Sequence, residues 1–140
     1  MNRHQFQVNL GSVTVTVNHQ GLIQQIEWQW TQRVSDQLAL APPIIPWLTK
    51  SFQEYFSHGT PLDGIPWERI DQDSWTPFQK QVYRVIASIP HGETRTYGWV
   101  ASRLGIPNAG RAVGQALRNN PLPILIPCHR VVRDNGTLCG

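Results

Sequence analysis

TYGWVASRLGIPNAGRAVGQALRNNP (residues 96–121) is the stretch that decides how this chain folds. Thr96 offers the short hydroxyl of an N-cap, and a helical run follows to Gly105. A second run opens after Asn108, read here as its cap, and ends near Asn119, where Pro121 stops it. Gly105-Ile106-Pro107 is a tight connection, so the two runs form a helix-turn-helix pattern. Many helix pairs share that pattern. The second helix is unusual in composition: Ala109, Gly110, Ala112, Gly114 and Ala116 are small. Glycine inside a helix costs about 1 kcal/mol against alanine. Arg111, Gln115 and Arg118 share one polar stripe, while Val113 and Leu117 point elsewhere, into the interior. Small residues beside arginines suit a helix pressed into a nucleic-acid groove. Close helix–helix packing would use the same residues.

Downstream, Asn120-Pro121 turns the chain into PILIPCHRVV (residues 123–132). The apolar run reads as a short strand ending at Pro127, Cys128 and His129. A thiol there has four readings: an ordinary buried cysteine, half of a disulfide, a metal ligand, or a nucleophile with a base beside it. Only Cys128 and Cys139 occur, fewer than a disulfide scaffold normally uses. The five histidines are scattered, and a structural zinc site usually needs four closely spaced ligands. A nearby imidazole and arginine can lower a thiol's pKa, and His129 and Arg130 supply both. On a strand, however, adjacent side chains face opposite ways, so His129 would need a bend or a bridging water to reach the sulfur.

Upstream, Thr76 reads as an N-cap with Pro77 at the first helical position. The helix that follows places Phe78, Val82, Val85, Ile86 and Ile89 on one stripe and stops at Pro90-His91-Gly92. Residues 60–76 form a polar linker, with the domain boundary near Asp73: residues 1–73 on one side, 74–140 on the other. In the first part QFQVNLG, SVTVTVNH and LIQQIEWQW alternate at period two, with turns at Gly11 and at residues 19–21, predicting a three-stranded antiparallel meander. A helix is then expected between Pro46 and Gly59, packing Trp47, Leu48, Phe52, Tyr55 and Phe56. Nothing in residues 1–60 resembles a catalytic cluster.

Composition narrows the partners. Hydrophobic residues make up 40% and charged residues 15% of the 140, which fits a globular chain. No apolar run approaches the roughly 20 residues of a membrane span, and the N-terminus lacks a signal-peptide core, so a cytoplasmic protein is expected. Residues 1–74 carry four Lys/Arg against seven Asp/Glu, net −3; residues 75–140 carry eight against two, net +6. Seven of those eight cations are arginine, the residue suited to bidentate phosphate contacts. That asymmetry points to a nucleic-acid partner, with a solvated basic surface as the alternative.

PILIPCHRVV, preceded by RAVGQALRNNP, GETRTYGWVA and TPFQKQVYRVIASIP, closely resembles the methylated-DNA–protein-cysteine methyltransferases, the O6-alkylguanine-DNA alkyltransferases. The resemblance is continuous from Trp75 to Gly140 and loose before it. It implies an α+β fold: a small N-terminal ribonuclease-H-like antiparallel sheet plus helix, then a helical, winged-helix-like DNA-binding and active-site domain. It implies that Cys128 accepts the alkyl group and that His129 deprotonates it through a water. Asn120 would tie the helix pair to the active-site segment. Tyr97 would crowd the backbone near the flipped base and donate a proton to the purine. Arg111 would enter the duplex in place of the extruded nucleotide. Ala109, Gly110, Ala112 and Gly114, with Gln115 and Arg118, would face DNA in the minor groove, and Pro123, Leu117 and Val131 would wall the substrate pocket.

The implied function is direct, single-use transfer of a methyl group from O6-methylguanine in double-stranded DNA, with O4-methylthymine as a second candidate substrate. No cofactor, metal or membrane is implied, and a monomer is expected. A non-enzymatic lesion-binding protein of the alkyltransferase-like kind is the alternative, although such proteins usually replace the cysteine. A helix-turn-helix regulator is a third reading and would not need PCHR. The family pattern continues with a tyrosine- and glycine-rich loop, a final helix and a glutamate that orients the histidine. The sequence ends at Gly140, before that part of the pattern, and reaction rate and stability are expected to depend on it.

Overall fold

The computed structural model describes residues 2–8, 11–29, 44–62, 64–106 and 108–133. The chain divides into two compact units, Met1–Asp71 and Gln72–Gly140. Together they make a mixed α+β protein, as expected. No helix among the described residues is long and apolar enough to cross a membrane.

The first unit is an antiparallel meander: β1 (Asn2–Val8), β2 (Gly11–Val17) and β3 (Ile23–Gln29), in that spatial order. The register stacks Phe6, Val13 and Trp28 in one row and His4, Val15 and Ile26 in the next. Val13, Val15 and Val17 are buried; their β-branched side chains suit the pleat. The turn after β2 is built by Asn18, whose Oδ1 accepts from the amides of Gln20 and Leu22, with Gly21 at φ 79°. Gly11, expected to mark a turn, is instead the first residue of β2. A Cβ there would collide with the Gln29 carbonyl and the Trp28 indole, so close backbone approach explains the glycine.

Helix α1 (Ile44–His58) begins two residues before Pro46, which sits in its first turn, where a missing N–H costs little. It buries Ile45, Leu48 and Phe52 against β1; Trp47, Tyr55 and Phe56 are only half-buried. Phe52 meets Phe6 edge-on at 6.0 Å, and Phe56 stacks on Trp28 at 4.9 Å. The stretch after Gly59, expected to be a plain linker, contains one 3-10 turn at Trp67–Arg69. Buried Ile70 then bridges to Ile23, and the Asp71 amide donates to the Ile23 carbonyl at 2.7 Å. An apolar residue at the linker's end found an open sheet position.

The second unit opens with α2 (Pro77–Ala87), capped by Thr76. Thr76 Oγ1 accepts from the Gln79 amide while Gln79 Oε1 accepts from the Thr76 amide, a reciprocal capping box. Val82, Ile86 and Ile89 of the expected stripe are buried, Phe78 and Val85 half-buried. After β4 (Arg95–Thr96) come α3 (Tyr97–Arg103) and α4 (Gly110–Arg118), packed on each other and on α2. Thr96 caps α3 as expected, its hydroxyl accepting from the Trp99 amide at 3.0 Å. Asn108 does not cap α4. It adopts φ 74°, in the left-handed region that asparagine tolerates, and so cannot take the extended backbone of a cap; Ala109 stands at that position.

The expected strand over 123–126 is absent. Pro121, Pro123 and Pro127 have no N–H to give a ladder, and Ile124 sits at φ 74°. What remains is an isolated bridge, Pro123 to Ile126, followed by a 3-10 turn at Cys128–Arg130 and β5 (Val131–Val132).

Candidate functional site

Parallel pairing of β4 with β5 positions the thiol. Arg95 lies opposite Val131 and Thr96 opposite Val132. The turn that carries Cys128 runs directly into β5, and α3 starts at Tyr97 directly after β4. Two segments more than 30 residues apart in sequence are thus held side by side.

Asn120 locks the approach to that turn. Its Nδ2 donates to the Ile126 carbonyl at 2.9 Å, and its Oδ1 accepts from the Leu122 amide at 2.9 Å. The same Ile126 carbonyl accepts from the Cys128 amide at 2.8 Å, so one oxygen, held by Asn120, fixes the backbone of the nucleophile. Arg130 holds the far side. Its Nη1 donates to the Ile89 carbonyl at 2.8 Å, and its Nη2 lies 3.3 Å from His91 Nδ1. Because the turn is 3-10 rather than extended, Cys128 and His129 are not fixed on opposite faces of a strand.

Cys128 is a half-buried thiol. His129 is at the surface. Loss of water around its imidazole, then the charges of Arg130 and His91, push its pKa below 6.5, which keeps it neutral and able to take a proton. Tyr83, not among the residues the sequence singles out, is fully buried in α2, edge-on to Trp75, and donates to the Ala116 carbonyl at 2.8 Å. Burial, then the charge of Cys128, push its pKa up to about 12, so it remains a donor at any working pH. A tyrosine beside the apolar Val82 stripe was the available signal, since a buried phenol needs a partner.

Beside α4 lies a cavity of about 400 Å³ lined by Tyr97, Gly110, Arg111, Gly114, Gln115, Arg118 and Arg133. It gathers most of the DNA-facing residues named above and adds Arg133. Arg111, Arg118 and Arg133 are exposed and make no ion pair among the described residues. The small residues do not share one face. Gly110 and Gly114 turn toward Tyr97, and Ala109 is half-buried. Ala116 is core, and Ala112 lines a second depression of about 240 Å³ with Thr76, Phe78 and Gln79. A Cβ at Gly114 would sit 3.6 Å from Tyr97 Cε2, an ordinary contact, so packing inside the unit does not demand the glycine. Leu117 and Val131 are buried in the core and Pro123 is half-buried. Among the described residues, Cys128, His129, Pro123, Leu117 and Val131 do not line the α4 cavity.

An α+β protein with a thiol turn locked beside a helix pair is the class that this geometry defines. Residues 77–140 match the profile of the 6-O-methylguanine DNA methyltransferase DNA-binding domain. The constitutive methylated-DNA–protein-cysteine methyltransferase of Bacillus subtilis is 37% identical over 119 residues, which are 84% of this chain and 70% of that protein. That of Methanosarcina acetivorans is 54% identical over 65 residues, 46% of this chain and 42% of its own length. The crystal structure of Mycobacterium tuberculosis OGT in complex with DNA matches with a TM-score of 0.77 at 27% identity, over 100% of this chain and 83% of that one. The chain belongs to the methylated-DNA–protein-cysteine methyltransferase family.

Proposed function

We propose that this chain repairs O6-methylguanine in double-stranded DNA by moving the methyl group onto its own Cys128, once per molecule. The observation that carries the reading is the Cys128 turn, locked by Asn120 and Arg130 and held beside α3 by the β4–β5 pairing. The same unit holds a cavity rimmed with arginines that make no ion pair among the described residues. Residues 74–140 then hold all of the chemistry, and the protein works as a cytoplasmic monomer.

In this reading Arg111, Arg118 and Arg133 meet phosphate or bases without reading sequence. Gly110 and Gly114 let the duplex approach α4 at its minor groove, which accounts for glycines that internal packing does not require. The alkylated oxygen lies inside a base stack, so the nucleotide is flipped out at a cost of a few kcal/mol. Arg111 fills the gap, as wedge side chains do elsewhere. Neutral His129 takes the thiol proton through a water. The thiolate attacks the methyl carbon, an S–C bond forms and the C–O bond breaks. The electron pair leaves on the purine, which gains a proton from the Tyr97 hydroxyl. The thioether product has no easy return, so the reaction is stoichiometric. O4-methylthymine presents the same methyl–oxygen bond and is a second substrate.

Intact mass after mixing with a duplex containing O6-methylguanine tests the reading. One methyl group per chain is expected, on the peptide carrying Cys128, and none in Cys128→Ala. A chain that binds the lesion and gains no mass is instead a lesion-binding protein. A methyl group found on Cys139 moves the acceptor.

A further inference from the structure

The outer side of α3 carries a feature that methyl transfer does not use. Trp99 is half-buried, and two guanidinium groups lie over its indole: Arg95 at 5.4 Å and Arg103 at 5.6 Å from the ring centre. Both are within reach of a cation–π attraction. The inner side of the same helix is spoken for, since Val100 and Ala101 are buried and Tyr97 faces the α4 cavity. None of Arg95, Trp99 and Arg103 lines that cavity.

The charge is not balanced locally. Arg95 is paired with Glu93 at 3.0 Å and also donates to the Thr94 carbonyl. Arg103 is exposed and makes no ion pair among the described residues. Two cations are therefore gathered on one ring against a single carboxylate. A guanidinium held near a ring by a cation–π attraction keeps N–H groups available, in the fork that matches a phosphate. Held on the ring, it has less freedom to lose when an anion arrives. Arg103 is thus a cation placed by the ring, with its N–H groups open to an anion. It belongs to the same +6 part of the sequence as Arg111, Arg118 and Arg133.

We propose that the Arg95–Trp99–Arg103 face of α3 grips a backbone phosphate of duplex DNA outside the stretch held by α4. The proposal rests on the DNA-repair reading above. Phosphate is favoured over an unstacked base because two guanidinium groups already lie over the indole. An acidic protein surface would meet the same arginines, and binding that ignores DNA would point to it.

The test is the salt dependence of equilibrium binding to an unmodified duplex, measured with the full chain. Each phosphate contact contributes about 0.9 to the slope of log affinity against log salt. Arg103→Gln should make the slope shallower by about 0.9, so that its deficit at 50 mM salt shrinks roughly threefold by 200 mM. Arg103→Lys keeps the charge and should keep the slope, while losing affinity because a lysine does not present the planar fork. Arg103 is exposed, so both variants should fold, with at most a small drop in unfolding temperature from the altered cation–π contact. If Arg103→Gln binds with wild-type affinity and slope while Arg118→Gln is impaired, the α3 contact is wrong and the DNA reading stands. If the wild-type chain has no salt-dependent affinity for duplex, the DNA reading fails and takes this proposal with it.

Discussion

The two units differ in where their polar side chains matter most. In the first, His4 and Thr16 are 4% and 5% exposed, and neither imidazole nitrogen of His4 nor the Thr16 hydroxyl has a partner among the described residues. In the second, Tyr83, Asn120 and Arg130 each send a side-chain donor to a backbone carbonyl that is 33, 6 or 41 residues away. The difference follows from the elements. Seven-residue strands paired along their full length satisfy their own backbones, so the meander tolerates an orphaned side chain. The second unit is assembled from two-residue strands and helices of seven to eleven residues, which are marginal on their own. Side chains must supply the fixing there, and those of Asn120 and Arg130 fix the turn that carries the thiol. Changes in the second unit should therefore strike the chemistry, and changes in the first should move stability alone.

The sharpest test is Asn120→Ala. It removes the donor to the Ile126 carbonyl and leaves the buried Leu122 amide without its acceptor, at a cost of about 1–3 kcal/mol. Because the Ile126 carbonyl also holds the Cys128 amide, the single-turnover rate of methyl transfer should fall tenfold or more along with the thermal midpoint. A lower midpoint with an unchanged rate would show that the lock stabilises the unit without aiming the thiol.

Arg111→Lys asks less of the fold, since the residue is exposed. It keeps the charge and loses the planar group able to fill a vacated base position. Repair of a lesion in paired duplex should fall about tenfold, roughly 1.4 kcal/mol of barrier, and by more than duplex binding does. Reaction with free O6-methylguanine, which needs no extrusion, should hardly change. Equal losses on both substrates would place Arg111 in the reaction site itself and end the wedge role.

These contrasts also explain which features could be read from the chain. Caps were legible because they are local: Thr76 and Gln79 stand three residues apart, and Thr96 directly precedes its helix. The meander was legible because alternation repeats over seven residues. The thiol motif was legible as residues, but its backbone was not. PILI has the composition of a strand, and only the three flanking and internal prolines argued against a ladder. The Tyr83 and Arg130 anchors span dozens of residues and leave no periodic trace. Gly11 and Asn108 show the same limit at single positions, where a crowded neighbour or a left-handed φ decided what a residue does.

A smaller effect is expected at His91, whose ring meets Arg130 and whose charge, after burial and Arg130, lowers the pKa of His129. Replacing it with glutamine removes one of those three causes, so the His129 pKa should rise. Neutral His129 is the form that accepts the thiol proton. The acid limb of the transfer rate should therefore move to higher pH in His91→Gln, with a few-fold lower rate near pH 6 and no change at pH 8. An acid limb that stays in place would remove His91 from the electrostatics of the base.

The smallest effect, and the one confined to the first unit, belongs to His4. Its side chain faces the core row with Val15 and Ile26, and burial pushes its pKa below 6.5. The unfolded chain binds this proton near pH 6.5, the folded chain only at lower pH. Between those two values the unfolded state holds more protons, so stability is complete above pH 6.5 and is lost as pH falls toward the folded value. Leucine at this position has nothing to protonate and no nitrogen to leave unpartnered. Relieving the two orphaned nitrogens should gain about 1–3 kcal/mol, less up to about 1 kcal/mol for the change of shape. Hydrogen exchange of the β2 amides, corrected for intrinsic rates, reads this unit without reading the other. In the wild-type chain their protection should drop between pH 7.5 and 5.5; in His4→Leu it should be higher and level across that range. Methyl transfer to a duplex at pH 7.5 should be the same in both proteins. A loss of transfer in His4→Leu would mean that the meander takes part in the chemistry, and the contrast between the units would have to be redrawn.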